Sequence, residues 1–156
     1  MRKLLSEVSY KIFNYIPKNL IAVTGTNGKS SVSDFYLQIL NLNSKRVASI
    51  GTIGIRTNYK NKMISNTTLD PIELGKTLVN LKKKKIDNVI LEASSHGLSQ
   101  NRLDGLIFNI GVFTNLSHDH LDYHKNMNDY LNSKLYLFEK LIKETGSIVA
   151  DANIQE

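Results

Sequence analysis

The run Gly25-Thr26-Asn27-Gly28-Lys29-Ser30-Ser31 stands between a short apolar segment, Leu20–Val23, and a stretch whose apolar residues recur at helical spacing. Glycines in such a turn let backbone N–H groups close around phosphate oxygens. The N-terminus of the following helix adds a partial positive charge, the Lys29 ammonium can reach terminal phosphates, and the Ser30 hydroxyl can ligate Mg²⁺. A strict phosphate loop carries a further glycine five residues before Gly28, where this chain has Val23. The agreement is therefore with the Gly-Lys-Ser half and its strand–turn–helix setting, and it predicts nucleotide binding.

All four histidines, His96, His118, His120 and His124, fall within residues 96–124, together with Asp119 and Asp122 and just after Glu92. Each histidine taken alone reads as a loop or packing residue. Clustered at the ends of predicted strands, one or two of them read instead as ligands, because open α/β sheets bind their ligands beyond the carboxyl ends of the strands. A carboxylate and an imidazole beside a phosphate loop suit a divalent cation held between protein and phosphates. Asn66-Thr67-Thr68 could hold a polar substrate or cap the helix that starts near Pro71; spacing alone favours the cap. By the same standard Lys134 reads as a solvated helix lysine.

The elements that must position these residues follow from periodicity. Leu4, Leu5, Val8, Ile12 and Phe13 space as a helix over 2–15, ended by Pro17. Leu20–Val23 reads as a buried strand. The next helix runs to about Leu42, with Val32, Phe35, Tyr36, Ile39 and Leu40 on one face. Arg46–Ile50 and Thr52–Arg56 read as short strands. A helix runs from Pro71 to the run Lys82–Lys85, and Asn88–Glu92 and Asn109–Thr114 are further strands. A last helix from about Asn126 to Lys143 precedes a strand at Ser147–Ala150. Such alternation predicts an α/β fold, a mostly parallel sheet flanked by helices. The chain stops just after a predicted strand, so the sheet is expected to be truncated at that end.

Composition narrows the classes. With 156 residues, 41% hydrophobic and 22% charged, the chain has the make-up of an ordinary globular domain, not a collagen-like or disordered one. No apolar run reaches the roughly 18–20 residues of a membrane helix, and the N-terminus lacks the apolar core of a signal peptide. Zero cysteines exclude disulfides and thiolate metal sites and fit a reducing cytosol. The net charge of +6 is concentrated at Lys82–Lys85. Lysines at a helix C-terminus complement its dipole, so neither nucleic acid nor a membrane is expected as a partner.

Together these segments resemble the central, ATP-binding domain of the Mur ligases of peptidoglycan synthesis, over about Asn19 to Asn153. Val23–Ser30 resembles the family's phosphate loop, including the absent first glycine. More specific are Asn66-Thr67-Thr68, the stretch Glu92–Leu98 with Gln100 and Arg102, and above all Phe113–His124. They resemble the branch that adds the third stem-peptide residue to UDP-N-acetylmuramoyl-L-alanyl-D-glutamate.

The resemblance implies ATP and Mg²⁺ as cofactors. Gly25, Thr26, Asn27, Gly28, Lys29, Ser30 and Ser31 would bind ATP. Ser30 and Glu92 would meet one metal ion, and His120 a second. Asn66, Thr67, Thr68, Ser94, Gln100 and Arg102 would hold the UDP-muramoyl-dipeptide. Lys134 aligns with the lysine that the family carbamylates, and as a carbamate it could ligate the second ion. Lys29, Lys134 and His120 are thus the expected catalytic residues. The implied reaction activates a carboxylate as an acyl phosphate, which an amino acid then displaces, in the bacterial cytoplasm.

Ser30 replaces the commoner threonine and keeps the hydroxyl, whereas His118 stands where arginine is usual and removes the guanidinium of a structural ion pair. Residues 1–18 resemble only the end of a connection from an N-terminal domain, and 19–156 an incomplete central domain. The N- and C-terminal ligase domains are missing from the resemblance, so the chain alone is expected to bind ATP and part of the substrate without completing the reaction. A folylpolyglutamate synthetase-like ligase, a phosphate-loop binding module and a non-functional remnant are the alternatives.

Overall fold

A computed structural model describes residues 1–58, 60–120 and 122–151. Leu121, inside the longest stretch of the resemblance, and residues 152–156, at its far end, lie outside the described residues. A seven-stranded sheet is built from β1 (Asn19–Thr24), β2 (Val47–Gly51), β3 (Gly54–Thr57), β4 (Asn61–Lys62), β5 (Asn88–Glu92), β6 (Phe108–Phe113) and β7 (Ile142–Ala150), in the order β4-β3-β2-β5-β1-β6-β7. The run from β2 to β7 is parallel, and β3 and β4 add an antiparallel edge. The expected mostly parallel α/β sheet is therefore present.

Alternation along the strands explains the two faces. Leu20, Ala22, Val89 and Leu91 point into the main core, where Leu74, Leu78 and Leu81 of α3 (Pro71–Lys83) pack. Ile21, Val23 and Ile90 point the other way, against Val32 and Tyr36 of α2 (Lys29–Leu42). Strands buried on both faces read as continuous apolar runs. Helix α3 starts where Pro71 and Asp70 dictate: the Asp70 carboxylate accepts the backbone N–H groups of Ile72 and Glu73 at 3.0 and 3.1 Å. The cap is Asp70, so the capping reading of Asn66-Thr67-Thr68 is set aside.

Two elements differ from expectation. Helix α1 (Arg2–Ile12) turns its polar side inward: Ser6, Ser9 and Tyr10 are buried, while Leu4 and Ile12 are 63% and 69% exposed. Hydrogen bonds drive the inversion. The Ser6 hydroxyl donates to the Asn101 carbonyl at 2.5 Å and Tyr10 to that of Arg102 at 2.7 Å, meeting carbonyls of a turn that lies outside any helix or strand.

The helix predicted to reach Lys143 instead ends as α5 (Met127–Tyr136), widens into a π turn at Leu137–Leu141 and enters β7 at Ile142. Phe138 and Ile142 lie flat on Gly111 of β6, where a Cβ would fall 2.8 Å from each side chain. That packing, with the pairing of Ile142 to Phe108, stops the helix early. Among the described residues no helix is long and apolar enough to cross a membrane.

Candidate functional site

Parallel register fixes which residues meet. Val23 pairs with Glu92, Thr24 with Phe113 and Ile50 with Leu91, so the ends of β1, β5, β6 and β2 lie side by side at one rim. The glycine-rich loop leaves β1 there. Position 23 is still strand, wholly buried in the second core cluster, which is why a valine suits it.

The loop is tightly determined. Gly25 has φ +140°, and a Cβ there would sit 1.9 Å from the Thr114 hydroxyl; Gly28 has φ +84° at the start of α2. Asn115 clamps the loop from β6: its backbone carbonyl accepts from Thr26 N–H at 2.9 Å, and its side-chain carbonyl from Asn27 N–H at 2.9 Å. The Lys29 ammonium donates to the carbonyls of Gly25 and Thr26 at 2.8 and 2.9 Å. Burial pulls its pKa below the usual value, against the charges of Glu92 and Asp119. Ser30 is half-buried beside it and Ser31 is exposed.

Glu92, at the end of β5, is 2% exposed. The Thr52 hydroxyl donates to its Oε2 at 3.0 Å and lies 3.0 Å from the Thr67 hydroxyl. Close to it, the hydroxyl of Thr68 donates to the Glu92 carbonyl at 2.9 Å, accepts from Ser94 N–H at 2.9 Å and lies 3.0 Å from Ser94 Oγ. Ser94 in turn caps α4 (Ser95–Ser99) by accepting from Gly97 N–H. The Arg102 guanidinium donates to the Thr68 carbonyl at 2.6 Å and forks onto the Gln100 side-chain oxygen at 3.0 and 2.7 Å. Thr67, Thr68, Ser94, Gln100 and Arg102 are thus one connected group. Asn66 is exposed at its margin.

The histidines meet across two loops. The His96 ring centroid lies 5.0 Å from that of His120, 3.9 Å from Tyr123 and 5.8 Å from His124. His118 is exposed. His120 holds φ +54°, a left-handed backbone uncommon outside glycine. Burial lowers the pKa of His96 and of His124, and neighbouring cationic groups lower both further. His124 Nε2 is buried without a hydrogen-bond partner.

Lys134 is 1% exposed, not solvated as its helical position suggested. Its ammonium lies 4.1 Å from the Tyr130 ring centroid. Burial and then the positive charge of Lys29 draw its pKa down to about 7. A buried amine with its pKa drawn down this far, next to a phosphate-type loop, has a neutral fraction that can act as a nucleophile.

A hard divalent cation suits oxygen donors such as the Ser30 hydroxyl and the Glu92 carboxylate, with phosphate completing the set. Among the described residues no three His, Asp or Glu side chains converge to hold a metal ion by themselves. Sequence reasoning brought the loop from Thr114 to His124 near the phosphate loop but gave no individual role to Thr114 or Asn115, nor to Thr52 or to Tyr130, whose hydroxyl lies 3.1 Å from that of Thr26. Thr114 and Asn115 sit in the longest stretch of the resemblance; Thr52, in a two-strand turn, carries no sequence signal.

Residues 23–156 match the model of the Mur ligase middle domain. A UDP-N-acetylmuramoyl-L-alanyl-D-glutamate–2,6-diaminopimelate ligase of Rickettsia montanensis is 46% identical over 144 residues, 90% of this chain and 30% of the relative. The ligase of the same name from Brucella melitensis is 38% identical over 99% of this chain and 32% of its own length. The chain therefore spans about a third of these relatives. A solved structure of a ligase of that name superposes with a TM-score of 0.82 at 29% identity over 99% of this chain and 37% of its own. An Escherichia coli FolC bound to ADP, 16% identical over 97% of this chain and 47% of its own, shares the fold with a TM-score of 0.70. Sequence, register and rim geometry agree, and this chain belongs to the Mur ligase middle-domain family.

Proposed function

We propose that this chain is the ATP-binding and part of the muramoyl-peptide-binding portion of an ATP-dependent carboxylate–amine ligase of peptidoglycan synthesis. The observation that carries the reading is the convergence of Lys29, Glu92 and Lys134 at one rim, close enough for Lys29 to feel the charge of Glu92 and for Lys134 to feel that of Lys29. Gly25–Ser31 cradle the phosphates of ATP and Lys29 neutralises charge on the moving phosphoryl group. The free carboxylate of UDP-N-acetylmuramoyl-L-alanyl-D-glutamate becomes an acyl phosphate, and an amino group displaces phosphate. The names of the relatives point to 2,6-diaminopimelate as that amine.

Ser30 and Glu92 would hold one Mg²⁺ and His120 a second, and the ions would offset charge between phosphate and protein. The neutral form of the Lys134 amine attacks CO₂ and releases its proton to solvent, so that a basic side chain becomes a carbamate, a carboxylate-like ligand. Asn66, Thr67, Thr68, Ser94, Gln100 and Arg102 present the polar groups for the muramoyl dipeptide. Residues 1–18 connect to an N-terminal domain and 19–156 form the central one. The complete active site assembles with N- and C-terminal ligase domains in the bacterial cytoplasm, so the chain alone binds without turning over. No nucleic acid or membrane takes part.

Thermal unfolding with and without Mg·ATP tests this. Ligand at about 100 times its dissociation constant stabilises the native state by about 2.7 kcal/mol, several degrees for a chain of this size. The shift should vanish in Lys29→Ala. An equal shift in wild type and Lys29→Ala, or none in either, overturns the reading.

A further inference from the structure

A hydroxyl has one proton to give. Thr52 Oγ1 stands 3.0 Å from Glu92 Oε2 and 3.0 Å from Thr67 Oγ1. A carboxylate accepts only, so the Thr52 proton goes to Glu92. Thr67 must then spend its own proton on Thr52. The three groups form a directed chain, Thr67 to Thr52 to Glu92, and Thr67 is left with lone pairs alone. Thr68 contrasts with it. Its proton goes to the Glu92 carbonyl, and it accepts from Ser94 N–H and the Ser94 hydroxyl, so its capacity is spent inside the fold.

We infer that Thr52 is a positioning residue, which holds the Glu92 carboxylate in register for a divalent cation and makes Thr67 an acceptor toward any ligand. This rests on the reading of Glu92 as a cation ligand given above. Packing over Gly51 fixes the plane in which the Glu92 side chain lies, and among the described residues the Thr52 hydroxyl is the side-chain donor that directs its carboxylate. Hydrogen bonds behind a ligand set its direction, and losing one costs 10- to 100-fold in metal affinity. The relay also joins two halves of the site. A ligand N–H or O–H that bonds to Thr67 polarises it, strengthens its donation to Thr52 and, through it, the grip on Glu92.

Mn²⁺ affinity, read by electron paramagnetic resonance of the free ion with a non-hydrolysable ATP analogue present, tests the relay on the whole chain. Thr52→Val should weaken Mn²⁺ at least about 10-fold, Thr52→Ser less than about twofold, and Glu92→Gln at least as much as Thr52→Val. Thr67→Val leaves the Thr52 proton on Glu92 and should weaken Mn²⁺ less than Thr52→Val does. If Glu92→Gln loses Mn²⁺ while Thr52→Val binds like wild type, the relay is wrong and the cation site stands. Should Thr52→Ser be as weak as Thr52→Val, the residue acts by shape and the inference fails. A larger effect from Thr67→Val reverses the polarity and also overturns it. Wild-type affinity in Glu92→Gln removes the cation reading and the relay together.

Discussion

Gly51 and Glu92 are packed so closely across β2 and β5 that a Cβ at position 51 would fall 2.2 Å from Glu92 Oε1. The glycine is there to let a carboxylate lie over it. Gly51→Ala should turn that carboxylate aside and destabilise the fold by about 1–3 kcal/mol, the usual cost of overpacking. Urea unfolding reads the stability and Mn²⁺ titration the displacement; an alanine variant equal to wild type in both would show that Glu92 is free to move.

Thr68→Val should cost about 2 kcal/mol, because it leaves the Glu92 carbonyl and Ser94 N–H of a buried turn without their partner. Thr68→Ser keeps the hydroxyl and should recover most of the loss. Equal urea midpoints for valine and serine would assign the effect to packing against Gly97 instead.

Lys134 fixes a pH dependence whose sign is definite. Its folded pKa, about 7, lies below the ordinary 10.5, so the unfolded chain binds the extra proton between those values. The penalty for burying the ammonium is complete below about pH 7 and fades as pH rises toward 10.5. In CO₂-free buffer Lys134→Met should therefore raise the melting temperature, by about 2 kcal/mol of stability near pH 6 and far less near pH 10. A gain that grows with pH would contradict this environment for the amine.

On helix α1, Ile12→Gln should change stability by less than about 0.5 kcal/mol, and Tyr10→Phe should cost about 1 kcal/mol through the lost bond to Arg102. The opposite ranking in a denaturant series would mean that the helix turns its other face inward.

Helix α1 also marks where sequence reading stops short. Leu4, Leu5, Val8 and Ile12 repeat with the period of a core-facing stripe, and periodicity reports the stripe without saying what lies opposite. The turn at Asn101–Gly105 offers carbonyls, distant in sequence, that recruit Ser6 and Tyr10. By contrast Asn88–Glu92 was legible to the residue, since an apolar run between turn-forming residues admits little else, and the start of α3 was nearly as clear from Pro71. The phosphate-type loop could be read because its chemistry resides in consecutive residues. Lys134 could not: only α5 docking beside that loop removes it from water. Thr52 was invisible for a similar reason, its partners being 15 and 40 residues away.

The two margins of the sheet are unlike. On one side β4 is a two-residue strand, Asn61–Lys62, fully exposed and flanked by Lys60, a margin too short and too charged to extend. On the other, β7 runs nine residues with Ile148 59% and Val149 53% exposed, beside an apolar cavity of about 360 Å³ lined by Phe113, Leu116, Leu131, Leu135 and Phe138. Among the described residues, a further strand can therefore be added beside β7, whereas the short and charged β4 margin resists addition.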